Sequence, residues 1–264
     1  MSIYLGAGST AHKMSKLYVG VGGQARQVQK VYVGINGQAR LVYQSGSLIG
    51  SLTVGSIVKI KVNGSAKDFI VVHQGKPSSV YDDSCNGTWL LMKDIYENRQ
   101  WHSSSINDYA GSTIHSYLNG TFLNLFESNV KNAIKQVKLP YRKGSGTSTT
   151  VTSGSNGLSA KIFLLSATET SFSFNYMPSG EGAELAYFKG CADNSSDSKR
   201  VAYLNGSAAL WWLRSPRCSN YSNTALYVNS LGGWGSGCTS SYGIRPALIM
   251  PSTTLVDKSG NVIG

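Results

Sequence analysis

The chain has 264 residues, with 24 basic and 13 acidic side chains and a formal net charge of +11, enough length for one large domain, or one medium domain with an appendage, around a substantial core. Charged residues are 14% and hydrophobic residues 41%, which excludes a charge-swollen disordered chain. No apolar run approaches the roughly 20 residues that a membrane helix needs, so no membrane insertion is expected.

The abundance of Gly, Ser, Asn and Tyr suits loops and β-structure better than helical bundles. The basic residues do not cluster, and the absence of a recognised binding motif argues against nucleic acid as a partner. Cys85, Cys191, Cys218 and Cys238 form no CxxC pair, and His12, His73, His102 and His115 are scattered. Neither a metal site nor a cofactor is expected. With no hydrophobic leader, free thiols are favoured.

The first element is a repeat. Lys16-Leu17-Tyr18-Val19-Gly20-Val21 with Gln24-Ala25-Arg26 returns as Lys30-Val31-Tyr32-Val33-Gly34-Ile35 with Gln38-Ala39-Arg40, 14 residues on from Tyr18 to Tyr32. Each copy reads as a β-hairpin turning at Gly22-Gly23 or Asn36-Gly37, dipeptides that accept the positive φ of twist-matched turns. A lone hairpin is marginal in water, so residues 1–45 read as an attachment or oligomerising segment. The copies resemble the short Tyr-Val-Gly-(Val/Ile)-Asn-Gly repeats at the N-termini of tail proteins in phages of Gram-positive hosts.

After the Ser45-Gly46-Ser47 linker, residues 46–264 read as one larger domain. Ile57–Val62 and Phe69–Val72 around Asn63-Gly64 form a hairpin, and Trp89–Met92 a further strand. Ser112 is a helix N-cap for residues 113–118. Val130, Ile134 and Val137 mark the buried stripe of a second helix opened by Glu127, with Lys131, Lys135 and Lys138 on its solvated face. Residues 143–157 are a Gly/Ser/Thr loop, residues 161–166 a strand, and the last third short β-segments. Two early helices and a β-rich finish predict an α+β fold.

Ala209-Leu210-Trp211-Trp212-Leu213-Arg214-Ser215-Pro216, followed by Gly243-Ile244-Arg245-Pro246-Ala247-Leu248, resembles the paired WWLRSP and GVRPAL signature of a bacterial and phage family. The resemblance spans roughly residues 50–250 and includes Ser116–Asn119, Phe122 and Ile162–Ser166. It implies a C-type lectin fold: two helices plus antiparallel β-sheets with long loops, after the hairpin repeats. Several members of that family are variable proteins of diversity-generating retroelements, which rewrite adenines near the 3′ end of a gene. The variable region here would be about 211–245.

The residues allow a test. Adenine mutagenesis of AAC or AAT codons cannot produce Lys, Glu, Gln, Met or Trp. Between Arg217 and Tyr242 there is no Lys, Glu, Gln or Met, and Trp234 would be a fixed position. The stretch uses the alphabet of antibody paratopes, rigid aromatics among small polar residues. Tyr221, Tyr227, Trp234 and Tyr242 are the expected anchors, with Arg217 as a charged contact. Ser219, Asn223, Ser236, Thr239 and Ser241 surround them, and Cys218, Leu226, Leu231 and Cys238 complete the ligand-binding set. Cys218 and Cys238 read either as a disulfide or as two products of randomisation.

Ala225 and Val228 read as inward scaffold, together with Trp211, Trp212, Arg214, Gly243, Arg245 and Pro246. Two indoles seal a core, and each guanidinium pairs with carbonyls or an acid. No catalytic set is visible, so no enzyme is expected. The expected function is phage-tail receptor binding, the protein being made in the host cytoplasm and carried on the virion. Its partners would be a host cell-surface protein or glycan and other tail proteins, in a homotrimer that gains avidity. The alternatives are calcium-independent carbohydrate binding, a purely structural tail role, and a formylglycine-generating-type oxidase using Cys218 and Cys238.

Overall fold

The computed structural model describes all residues except 1–3, 8–9, 14–16, 36, 174, 192–196, 219, 230–231 and 264, with the backbone alone at 4–7, 12–13, 41 and 232–236. Three hairpins open the chain: Tyr4–Ala7 with Thr10–Lys13, Tyr18–Val21 with Gln24–Gln27, and Lys30–Ile35 with Gln38–Gln44. The first is a third copy of the repeat, Tyr4, Gly6 and Ala11 standing 14 residues before Tyr18, Gly20 and Ala25. Leu5, Ala7 and His12 in place of Val19, Val21 and Arg26 hide it in the sequence. Gly22 and Gly23 have φ of +59° and +77°, the twist-matched turn expected there. Asn36, the expected turn residue of the third hairpin, lies outside the described residues.

The body carries two five-stranded sheets. Its principal strands are β1 (Ile57–Val62), β2 (Ser65–Gln74), β3 (Thr88–Met92), β4 (Glu97–Gln100), β5 (Ile162–Phe163), β6 (Trp211–Pro216), β7 (Thr224–Asn229), β8 (Gly232–Gly237), β9 (Ser241–Ile244) and β10 (Ala247–Met250). One sheet runs β5-β10-β3-β2-β1, the other β4-β9-β6-β7-β8. All neighbours are antiparallel except β6 and β9.

The expected α+β fold of the C-type lectin kind, with two helices, does not form. Strands make up 40% of the chain and helix 15%, with a single helical run of 13 residues, and the sheets are many and small. The run starts as expected, Ser112 Oγ accepting from the His115 N–H at 3.1 Å to open α1 (Thr113–Tyr117). Asn119 then ties it to a strand: its Nδ2 donates to the Ile162 carbonyl at 2.9 Å and its Oδ1 accepts from the Lys161 and Ile162 N–H groups. Around that tie the helix widens to a π-turn over Leu118–Phe122 and tightens again over Leu123–Leu125.

The second expected helix shrinks to α2 (Ser128–Ala133). Val130 and Ile134 are buried, but Val137 belongs to a strand, Val137–Leu139. The Lys135 N–H donates to the Ile249 carbonyl, which draws the chain along β10. Lys131, Lys135 and Lys138 therefore share no helix face; their ammonium groups reach Asn124, Asn86 and Ser155 separately.

Two hydrophobic clusters pack against the sheets, and strand alternation assigns residues to them. Trp212, Ala225 and Ile244 join Val58, Ile60, Phe69 and Trp101 in one. Trp211, Leu213, Leu226 and Val228 join Trp89, Leu91, Phe163 and Ile249 in the other. Adjacent tryptophans of β6 thus seal opposite sides. Each buried indole N–H is satisfied, Trp211 donating to the Arg200 carbonyl and Trp212 to the Arg99 carbonyl, both at 2.9 Å. Gly243 sits where β9 crosses β6, and a Cβ there would stand 2.7 Å from the Leu210 carbonyl oxygen and from Ile95. Gly243→Ala is expected to cost about 1–3 kcal/mol in urea unfolding through this overpacking.

Candidate functional site

The site is built on buried charge. Arg214, fully buried in β6, forks onto Glu169, Nη1 to Oε2 at 2.5 Å and Nη2 to Oε1 at 2.6 Å. Its remaining donors reach the carbonyls of Pro140, Leu164 and Glu181. Burial opposes its charge, yet the Glu169 carboxylate outweighs burial and holds the guanidinium above its ordinary range. Glu169 also accepts from the Tyr81 hydroxyl at 2.8 Å and the Ser166 N–H at 2.9 Å. The Leu164 N–H donates to Tyr109 Oη, the Arg214 N–H donates to the Leu165 carbonyl and the Ser166 N–H is held by Glu169, so the expected strand is confined to β5. Arg245 donates Nε to the Met92 carbonyl at 2.9 Å and stacks 4.9 Å from the Trp211 ring; burial lowers it to about 10.

Glu181 completes the frame, accepting from the Ser215 hydroxyl and from the Arg142 N–H. Burial raises its carboxyl from about 4.5 to about 7, against the pull of Arg214. The native state therefore binds more protons than the unfolded chain between those values, and stability falls as pH rises from about 4.5 to about 7. Glu181→Gln is expected to flatten this window, removing a loss of about 3 kcal/mol, as read from urea unfolding of both proteins across pH. His73 and His115, pushed down by burial, act oppositely below about pH 6.5, and equally in both proteins.

A second hub orders the segment after β6. Asn107 is fully buried; the two hydrogens of its Nδ2 are shared among the carbonyls of Gly146, Arg217 and Tyr221, at 3.0, 3.1 and 3.2 Å. Its Oδ1 accepts from the Gly146 N–H and from Arg142 Nη2, and its own N–H donates to Ser222. Arg142 is also buried, with Nε and Nη1 lacking hydrogen-bond partners, and burial lowers its pKa. The Cys218 N–H donates to the Tyr176 carbonyl at 2.6 Å, which brings a residue from a distant loop to the same place.

These contacts line up the exposed members of the expected set along one rim. Tyr221, Asn223, Thr239 and Ser241 are exposed, while Arg217, Tyr227 and Tyr242 are half-buried. The Cys238 N–H donates to the Asn223 carbonyl, Gln100 Nε2 donates to the Thr239 carbonyl, and Gln100 pairs with Ser241 across β4 and β9. One row inward, the Tyr242 ring lies 4.8 Å from Trp212 and 5.2 Å from Tyr227. The backbone of Trp234 pairs with Tyr227, and that of Ser236 with Ala225. Ser219 and Leu231 lie outside the described residues. Beside the rim is a depression of about 340 Å³ lined by Asn98, Arg99, Gln100, Ser103, Thr113 and Ser241.

Cys218, Leu226 and Cys238 leave the expected contact set because all three are inside the body. Period-two alternation sends Leu226 to the same cluster as Val228. Both thiols are free, and burial raises Cys218 to about 11 and Cys238 to about 12, so both stay protonated at neutral pH. The scaffold positions Ala225, Val228, Trp211, Trp212, Arg214, Gly243, Arg245 and Pro246 are all buried. Among the described residues, no three His, Cys, Asp or Glu side chains are grouped to hold a metal, and no helix is long and apolar enough to cross a membrane. Asn107, Arg142, Tyr176, Glu169 and Glu181 were not foreseen, since no motif or spacing ties them to β6.

Apart from Tyr81, the frame and the rim fall within residues 86–252, which match the family described as a domain of unknown function (DUF6273). The chain belongs to the DUF6273 family. No curated protein and no solved structure matches it. In this DUF6273 chain the matched region ends just beyond β10, and the three hairpins precede it.

Proposed function

We propose that this DUF6273 protein works by binding: the rim formed by residues 217–242 recognises a ligand on a host surface, as a phage-tail receptor-binding component. The observation that carries the reading is the division of that segment. Among its described residues the exposed side chains, Tyr221 and small polar neighbours such as Asn223, Thr239 and Ser241, share one rim, while Ala225, Leu226, Val228 and Cys238 are locked into the two clusters beneath. Such a division permits exchange of contact residues without loss of the frame, which retroelement-driven diversification requires.

The hairpins serve attachment to the particle. Every side chain of the middle hairpin's strands is exposed, including Val19 and Val21 beside Arg26, which leaves both faces for a partner. Sister isolates of the gene provide the test. Differences confined to codons of residues 217–242, at adenines of a nearby template repeat, are the expected result. Substitutions scattered evenly along the chain would refute the reading.

A further inference from the structure

Arg217 has a setting unlike that of any other arginine at the rim. Its guanidinium carbon lies 4.2 Å from the Tyr221 ring centroid and 5.0 Å from that of Tyr176, so two aromatic faces flank it. Both tyrosines stay close to half exposed, at 46% and 47%. Among the described residues no carboxylate pairs with Arg217, and no hydrogen bond engages its side chain. Arg99, by contrast, stacks on Tyr117 but is neutralised by Glu97 at 2.6 Å.

The cradle is held from below. Asn107 grips the carbonyls of Arg217 and Tyr221, and the Cys218 N–H grips that of Tyr176. The Arg217 N–H donates to Thr224 at 2.8 Å, which anchors the segment to β7. With no hydrogen bond on its side chain among the described residues, the guanidinium keeps its N–H donors for a ligand, and their planar fork matches a carboxylate. Fixing the fork in advance lowers the ordering cost of binding.

The surroundings select the kind of carboxylate. Asn220, Ser222, Asn223, Thr239 and Ser241 are exposed, and no exposed aliphatic side chain lies among the described residues of 217–223 and 237–241; Ile106, beside Asn107, is a single exposed aliphatic and no pocket by itself. A peptide ligand would need an apolar pocket for an anchoring side chain. Short hydroxyls and amides instead suit the many hydroxyls of a sugar, and exposed tyrosines suit its ring faces.

We propose that Arg217, held between Tyr176 and Tyr221, binds the carboxylate of an acidic saccharide, an inference that rests on the recognition reading above. The test titrates the full chain with trigalacturonate, 3′-sialyllactose and a hyaluronan hexasaccharide, each beside its methyl ester, and with a triglutamate peptide. At least one acidic saccharide is expected to bind, with its ester at least about tenfold weaker, as loss of a charge-assisted bidentate contact implies. Arg217→Gln is expected to cost about tenfold or more, and Arg217→Lys several-fold because the planar fork is lost. Both variants should stay folded, with a thermal midpoint lowered by no more than the loss of two partly exposed cation–π contacts implies.

Equal binding of acid and ester, undiminished binding by Arg217→Gln, tighter binding of triglutamate, or binding of none of the acidic saccharides would overturn the inference. Natural variation confined to the rim, combined with any of those results, rejects the inference and leaves the recognition reading standing. Variation scattered over the chain rejects the recognition reading whatever the titrations give.

Discussion

Arg214→Met is expected to lower the unfolding free energy by about 3–5 kcal/mol, the usual cost of removing one partner from a buried ion pair. The substitution strands the Glu169 carboxylate with only Tyr81 and Ser166 as donors, in a site without water access. It also leaves the Pro140, Leu164 and Glu181 carbonyls short of a donor. Pairing it with Glu169→Leu removes the stranded charge and should recover much of the loss, because an apolar pair often replaces a buried ion pair at little net cost. Urea unfolding of the two single variants and the double variant measures this coupling. A loss below about 1 kcal/mol in Arg214→Met would mean that the pair does not anchor β6.

Asn107→Ala should loosen the segment after β6 more than the rest of the molecule. It removes both side-chain N–H donors, shared among three carbonyls, and the oxygen that accepts from the Gly146 N–H and from Arg142. Buried groups left unmatched cost about 1–3 kcal/mol each, and partial relaxation here is expected to leave a total near 2–4 kcal/mol. The local signature is hydrogen exchange. Amides of Arg217, Cys218 and Gly146 should exchange much faster, while those of β3 and β10 keep protection close to the new global limit. Asn107→Asp keeps the two bonds accepted by Oδ1 and loses both N–H donors that the three carbonyls share, so the same amides should loosen, to a smaller extent. Unchanged protection at residues 217 and 218 would show that the segment is ordered by other contacts.

What could be read in advance followed from local rules. Asn63-Gly64 and Gly22-Gly23 turn their hairpins because positive φ is demanded there, and Ser112 caps α1 because its hydroxyl reaches the third N–H. The burial of Trp211, Trp212, Ala225 and Val228 follows from period-two alternation in strands covered on both sides. Helix extent was not legible, because tertiary hydrogen bonds decided it. Asn119, a weak helix former, met Lys161 and Ile162 across 42 and 43 residues, and no periodicity encodes that meeting. Val137 fits a helical stripe and a strand equally well, and pairing with Ala160 settled it in favour of the strand.

The rim was legible as a composition but not as a surface. Cys218 and Cys238 belong to the same alphabet as their exposed neighbours, and only packing places them inside. Arg217 stood out by charge, whereas its partner Tyr176 lies 41 residues upstream in a loop with no distinguishing pattern. The hubs are the deeper omission. A buried Asn or Glu looks in sequence like any polar residue in a loop, and its worth appears only when carbonyls from several segments converge on it.

A frame that tolerates exchange of its outermost residues is the central requirement of the proposed role, and one variant tests it directly. Tyr221→Ser, Asn223→Tyr, Thr239→Asn and Ser241→Tyr, combined in one chain, alter four exposed positions and touch neither hub. The urea stability is expected to stay within the range that surface substitutions allow, about 0.5 kcal/mol per site, while binding of the labelled full chain to bacterial cells that capture the parent chain falls to background. A chain that unfolds, or one that binds those cells as well as the parent does, would contradict the account.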